Sequence, residues 1–325
     1  MTMAGITGMA TTYNCPNYTG ELFAASPEDT PLLSSIGGLT GGVSAGSTIF
    51  SWSGYDLRDA DDGRQRTEGA TAPAAEERAR FSDYNVVEIH QEKVSVSYTK
   101  QGATKQVTPA TGAKAVTIGD TVLPADELAW QIDTALKQIA RDVEKGFITG
   151  QFANPTDNQT ARKTKGLLEA VKTNVATTTH KAGELTEADV LDLVEKVWTN
   201  GGLQEGETRT IIVNSKLKRA LTRVFIKDAK YQEGTRNVGG VNLRTLETDF
   251  GTMNIMLNRY MPATKLAVVS LEQLAPVFLE VPGKGHFFAE PLAKTGASDD
   301  VQIYGEIGLR FGNEKAHGVL TVAAG

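Results

Sequence analysis

Apolar positions recur along this chain in two periods. Near-alternation runs through 47–56, Ser-Thr-Ile-Phe-Ser-Trp-Ser-Gly-Tyr-Asp, where β-branched and aromatic residues predict a strand. Residues 84–100 predict a second, longer strand whose phase flips. Val87 and Ile89 share one parity, and Val94, Val96 and Tyr98 the other. A one-residue slip exchanges the two faces of a strand, so a bulge or bend is expected between them. The intervening stretch 57–83 is polar and of mixed charge, with Gly63, Gly69 and Pro73. Two strands joined by so long a polar tip predict a projecting hairpin, because loops of this length are uncommon inside compact domains.

The helical period dominates further on. Leu128, Ile132, Leu136, Ile139 and Val143 step by three and four, predicting a long helix over about 123–148 that opens at Pro124 and ends near Gly150. Leu185-Thr186-Glu187-Ala188-Asp189-Val190 reads as a helix start, with Thr186 and Asp189 as a capping box and Leu185 and Val190 as a staple. That helix is expected to stop at Gly201-Gly202. Arg209 to Asn214 predicts a buried strand, followed by a helix capped by Ser215. Short strands are expected at 241–247, 252–257, 265–270 and 276–281, and a strand-rich tail at 286–322. The order is α+β, with an arm, a hairpin, a long helix, an α/β lobe and a strand-rich return.

Residues 1–46 form the arm, rich in Gly, Ser, Thr and Pro but carrying apolar anchors at Tyr18, Leu22, Phe23, Leu32, Leu33 and Ile36. Anchors without a core of their own point to burial against a neighbouring molecule, the alternative being a local flap on the chain's own domain. At 325 residues the chain exceeds the roughly 250–300 at which one core stops growing. It has no run of about 18 apolar residues to form a membrane helix, and Met1 to Ala10 lacks the basic and apolar regions of a secretory signal. The single cysteine, Cys15, excludes an intrachain disulfide. A net charge of −6 argues against a dedicated nucleic-acid-gripping protein and suits a surface that lies near DNA without adhering to it.

Candidate chemistry is sparse. Gly42-Val43-Ser44-Ala45-Gly46 matches the nucleophile-elbow pattern, but a Gly-rich loop precedes it and a strand follows, the reverse of the strand-to-helix turn the elbow requires. His90, His180, His286 and His317 are dispersed and form no ligand pair, so no metal or cofactor is expected. Asp59, Asp61, Asp62 and Gly63 fail the calcium-loop spacing. Lys216, Lys218, Arg219, Arg223 and Lys227 read as the solvated face of an amphipathic helix.

Three stretches, in order, carry a resemblance. They are Tyr18-Thr19-Gly20-Glu21-Leu22-Phe23 through Pro27-Glu28-Asp29-Thr30-Pro31-Leu32-Leu33 to Ile36-Gly37-Gly38; Trp52-Ser53-Gly54-Tyr55-Asp56-Leu57-Arg58; and Pro291-Leu292-Ala293-Lys294-Thr295-Gly296 with Tyr304-Gly305-Glu306-Ile307-Gly308-Leu309. Together they resemble tailed-bacteriophage major capsid proteins of the Hong Kong 97-type fold. That resemblance implies an N-terminal arm (1–46), an extended loop reaching a neighbour (47–100), a peripheral domain with a spine helix (101–183), an axial domain (184–282) and return strands (283–325).

It also implies a structural protein, not an enzyme, that assembles with itself into pentamers and hexamers. Their shell would be an icosahedral virion head, formed in the bacterial host cytoplasm and enclosing double-stranded DNA. Portal, scaffold or decoration proteins are implied partners, and no membrane. The arm residues Leu22, Phe23, Leu32, Leu33 and Ile36 are expected to bury against neighbours. Trp52 and Tyr55 are expected to anchor the loop, and Arg58, Arg64 and Arg66 with Asp59, Asp61 and Asp62 to pair across subunits. Lys137, Arg141 and Lys145 on the spine helix form a basic patch able to touch phosphate. No lysine lies between Asp56 and Glu92, so no covalent weld through the loop tip is expected, and the start at Met1 implies no cleaved prodomain. The rival readings are an encapsulin-like nanocompartment shell, a serine esterase using Ser44, and a phage tail or adhesin binding module.

Overall fold

The computed structural model describes residues 28–55, 57, 60–103, 115–118, 121–124, 127–157, 159–205, 208–228, 245–294 and 296–324. In chain order, helix α1 (Pro31–Ile36) and the short β1 (Val43–Ala45) precede the hairpin strands β2 (Ile49–Tyr55) and β3 (Arg80–Val86). Then come β4 (Glu88–Ser97), α2 (Tyr98–Ala103), β5 (Ala115–Ile118), β6 (Thr121–Pro124) and the long α3 (Glu127–Thr149). A short α4 (Leu167–Ala170), β7 (Val175–Lys181), α5 (Glu187–Thr199), β8 (Arg209–Val213) and α6 (Ser215–Thr222) follow. The chain ends with β9 (Thr245–Thr248), β10 (Gly251–Leu257), β11 (Lys265–Ser270), β12 (Ala275–Leu279), β13 (Phe287–Pro291), β14 (Ser298–Arg310) and β15 (Gly318–Ala323).

Two sheets organise these elements. In the five-stranded sheet, β14 pairs with β4 along one edge, with β12 and β13 in tandem along the other, and β1 lies beside β12. The six-stranded sheet has the order β7-β15-β11-β8-β10-β9. The tail therefore divides: β13 and β14 join the first sheet and β15 the second, so 283–325 does not return as a unit.

The six-stranded sheet is covered on both faces, which explains the nearly continuous apolar runs of β8 and β11. Ile211, Val213, Leu266, Val268, Leu320 and Val322 face a core shared with α5 and α6. Ile212, Ala267, Val269 and Val319 face the other core, shared with α1, α3 and the five-stranded sheet. The α3 stripe lies in that second core: Ile139 and Val143 are buried, and Leu128, Ile132 and Leu136 pack against it.

No phase flip occurs between Ile89 and Val94: β4 pairs with β14 in unbroken register and turns Ile89 outward, and the chain instead breaks earlier, at Val87, where it leaves β3, paired to β2. Three further expectations are corrected. The long helix starts at Glu127, not about 123, because Thr121–Pro124 pairs with Ala115–Ile118 as a hairpin strand. The cap of α6 is Asn214, whose side chain accepts from the Leu217 N–H at 3.0 Å, and Ser215 is the first helical residue. Leu32 and Leu33 are fully buried in their own chain's core and so offer no surface to a neighbour. The α5 start matches its reading, with the Thr186–Asp189 capping box formed.

What holds α1 in place is Glu144 of α3, fully buried. Its carboxylate accepts from the backbone N–H groups of Leu32 (2.8 Å) and Leu33 (2.6 Å), two donors left open by the start of α1, and from the Asn258 amide. Burial pushes its pKa up, against the pull of these donors. Beside it Asp29 meets Arg259 at 2.7 Å and Glu28 meets Lys137 at 3.5 Å.

Glu144→Ala leaves three donors without an acceptor and is expected to cost about 2–4 kcal/mol and to open 30–46 to limited proteolysis. Unchanged proteolysis would refute the clamp.

The fully buried His317 accepts from the Ser270 N–H at Nδ1 (3.3 Å) and bonds the Phe311 carbonyl through Nε2 (2.8 Å), as a neutral ring. Burial pushes its pKa below the ordinary value of about 6.5. The unfolded chain then binds a proton that the folded chain refuses, so stability from this site falls as pH drops below about 6.5. The urea midpoint is expected to fall between pH 7.5 and 5.5 in the wild type and to fall less steeply in His317→Gln. Equal slopes would show that this ring does not titrate on unfolding. Asp189 acts in a lower window: its pKa lies at about 2 because burial is outweighed by bonds from Thr186, Thr178 and His180. Its contribution is present above about 3.8 and is lost as pH falls towards 2.

Candidate assembly surfaces

The hairpin of β2 and β3 is fastened at its root. Alternation on β2 turns Phe50, Trp52 and Gly54 inward. The Trp52 indole N–H donates to the Gly312 carbonyl at 2.7 Å, and its ring meets Phe311 edge-on at 4.7 Å. Asn85, fully buried on β3, donates to the carbonyls of Leu309 (2.7 Å) and Lys165 (3.1 Å) and accepts from the Lys165 N–H (2.8 Å). The Lys165 ammonium lies 5.3–5.5 Å from the rings of Tyr84, Phe152 and Phe311, and 3.6 Å from Asp83. Trp52 thus ties the hairpin to its own subunit's core while its side chain stays partly exposed.

Beyond Tyr55 the strand pairing ends. Tyr55 is 71% exposed and Leu57 64%. Asp61 accepts from the Gly63 N–H at 2.9 Å, and Arg64 pairs with Asp61 (3.7 Å) and Glu76 within the same tip. Asp62 and Arg66 are exposed to solvent. Ile36 packs at the edge of its own core. Leu22, Phe23, Arg58 and Asp59 lie outside the described residues. Ile49 and Tyr84, on the outward face of the hairpin, are also exposed apolar residues that the strand pattern alone does not single out.

Ser44 sits mid-strand on the edge strand β1, with no helix after it. The fold nevertheless brings His286 to it, Nε2 to Oγ 3.2 Å, a proximity that 242 residues of separation conceal. Glu280 reaches the same hydroxyl at 3.4 Å, and the imidazole stacks flat on Phe278. A hydrolytic triad needs the acid on the far nitrogen of the imidazole, where it fixes the tautomer. Here the acid competes for the serine proton, so the group is not arranged as a triad.

His90 contacts Glu88 at 3.0 Å and His180 contacts Asp189 at 2.8 Å. Among the described residues no cluster of three metal-ligating side chains exists. On α3, Lys137 pairs with Asp133 (3.3 Å) and Glu28, and Arg141 donates to the Tyr260 hydroxyl (3.0 Å), leaving Lys145 exposed on the expected basic patch. On α6, Lys216 and Arg219 are exposed, and Arg223 donates to the Gly183 and Leu185 carbonyls. Lys218 departs from the solvated-face reading: its ammonium is buried without a hydrogen-bond partner among the described residues, and burial lowers its pKa to about 8. The side chain of Lys227 lies outside the described residues.

A family model described as SU10 major capsid protein matches residues 5–324. The major capsid protein of Escherichia phage Phieco32 is 25% identical, over 95% of this chain and 94% of its own. Among solved structures, the capsid of Cyanophage A-1(L) superposes with a TM-score of 0.66 at 13% identity, covering 97% of this chain and 99% of that one. The capsid of a native GTA particle gives 0.62 at 14%, covering 99% and 100%. The SrpI encapsulin of Synechococcus elongatus PCC 7942 gives 0.55 at 13%, covering 95% and 91%, so the fold alone does not separate a phage head from a nanocompartment. The sequence family does separate them: the chain belongs to the SU10 major capsid protein family, whose subunits form the icosahedral shell of tailed phages in the α+β Hong Kong 97-type fold.

Proposed function

We propose that this subunit closes a non-covalent, DNA-containing head from pentamers and hexamers. In this reading the β2–β3 hairpin reaches over a neighbouring copy, and the six-stranded lobe gathers around the capsomer axes. The observation that carries the proposal is the contrast along the hairpin. Its root is held by Trp52, Asn85 and Lys165, while Tyr55 and Leu57 stand exposed where the pairing ends. A stiff root lowers the entropy lost when the tip binds. Exposed aromatics at the end of such an arm are suited to an interface core.

The arm before Glu28 supplies a second contact through Leu22 and Phe23, since Leu32 and Leu33 are committed to the subunit's own core. Exposed tip charges such as Asp62 and Arg66 set register more than affinity, at about 0–1 kcal/mol per exposed pair. The net charge of −6 suits a wall against which DNA is held without adhesion. Portal, scaffold or decoration proteins are the further partners of such a shell.

Electron microscopy of the purified chain after size exclusion is expected to show closed icosahedral particles, or rings that convert to them. Particles from infected cells should contain DNA. Protein cargo without DNA would instead favour a nanocompartment. Boiled particles should run as one monomer band on a denaturing gel, and a ladder of covalent multimers would overturn the non-covalent shell. Trp52→Ala removes the root anchor and is expected to destabilise the subunit by about 3 kcal/mol and to lower particle yield. Unchanged stability and yield would end the argument from a rigid root.

A further inference from the structure

The two helices on the outer face of the six-stranded sheet carry opposite charge. Helix α5 exposes Asp192 and Glu195, with Glu187 half-buried at its start. Its one cation, Lys196, is held by the carbonyl of Val175 at 3.1 Å, and its remaining acid, Asp189, is engaged by Thr186 and His180. Helix α6 reads Ser-Lys-Leu-Lys-Arg-Ala-Leu-Thr and has no acid. Both helices bury their apolar sides in the same core, so both present their charged sides away from it. Among the described residues, neither Asp192, Glu195 and Glu187 nor Lys216, Lys218 and Arg219 meet an opposite charge.

Lys218 distinguishes this from two solvated faces. Its ammonium is shielded from water and bonded to nothing among the described residues. A buried donor without an acceptor destabilises the fold that contains it, and native structures retain few such groups. Flanking Lys216 and Arg219 add like charge, and the helix that carries them holds no carboxylate to offset it. The covered ammonium therefore adds uncompensated positive charge beneath the exposed Lys216 and Arg219, a field that carboxylates of another molecule laid over this face would offset.

We propose that α6 of one copy docks against α5 of the next around a capsomer, with Asp192 and Glu195 meeting the exposed Lys216 and Arg219 and lying over the uncompensated charge of Lys218. The occupant is a second copy of this chain, because the complementary charges reside on one molecule at two different places. Such a contact is heterologous, and repeated by rotation it closes a ring. Opposite fields would also bring the two helices into register before close contact. The inference rests on the shell reading above.

The test uses the full-length chain in four forms beside the wild type: Lys218→Met; the triple reversal Lys216→Glu, Lys218→Glu, Arg219→Glu; the double reversal Asp192→Lys, Glu195→Lys; and both reversals together. Thermal unfolding of the unassembled subunit and ring or shell yield by size exclusion and electron microscopy are read for each. Lys218→Met is expected to leave the subunit as stable as wild type or more so, while ring yield falls about tenfold or more. Each reversal alone should abolish rings in a folded subunit, and the combined reversal should restore them. Reversed subunits that fold and assemble like wild type would overturn the inference and leave the shell reading standing. So would a combined variant no better than its parents. A wild-type chain that forms no ring or shell under any salt condition would overturn the shell reading and this contact with it.

Discussion

A single buried carboxylate ties the arm, the long helix and the six-stranded sheet together. Glu144 points from the contact face of α3 into a site closed to solvent, where an ion is costly unless donors surround it. Three donors do: two from the first turn of α1 and one from Asn258. Asn258 itself follows β10, and its N–H bonds the Val213 carbonyl at the end of β8. The carboxylate therefore fixes where the arm enters relative to both cores. Without it, Leu32 and Leu33 would still favour burial, but nothing directional would orient the helix that carries them.

The same division between fixed and free runs through the hairpin. Its inward face ends in contacts that are hard to displace, since Asn85 and Trp52 bond backbone carbonyls of the Leu309–Gly312 segment. Those carbonyls lie at and just past the end of β14, the strand that also organises the five-stranded sheet. The aim of the hairpin is thus set by the core and not by the loop. Among the described residues the ion pairs given for the tip are local, Arg64 with Asp61 and Glu76 and Arg78 with Glu76, and they shape the loop. A subunit that must fit neighbours of varying curvature gains from keeping direction rigid and the contact surface adjustable.

Structure is legible in the sequence wherever the deciding contact is local. The α5 capping box spans Thr186 to Asp189, and the α3 stripe recurs within one helix, so both can be read directly. The inward parity of Val94 and Val96 is visible because parity is a property of neighbours, whereas parity alone does not locate the strand break that separates Val87 from Ile89. Misreading begins where two local signals compete: Asn214 and Ser215 are both good caps, and Pro124 suits a helix start as well as a strand end. What stays hidden depends on distant partners. Nothing near Leu32 announces Glu144, 112 residues away, and nothing near Ser44 announces His286. Leu32 and Leu33 mislead for this reason: apolar anchors identify burial but not whose core receives them.

This limit also bears on how an assembling subunit is built. A monomeric protein is selected to satisfy its buried polar groups internally, so an unsatisfied one is anomalous. A capsid subunit is selected in the assembled state, and the relevant molecule is the ring or shell. Groups that the isolated chain leaves unsatisfied can then be features of the larger structure. The buried Lys218 ammonium and the outward-facing Tyr55 are opposite in polarity but alike in this respect. Each is unfavourable for a lone subunit, one through an acceptor missing among the described residues and the other through exposed apolar area. Assembly would relieve both at once, and the isolated subunit should then be less stable than its two well-filled cores alone would allow.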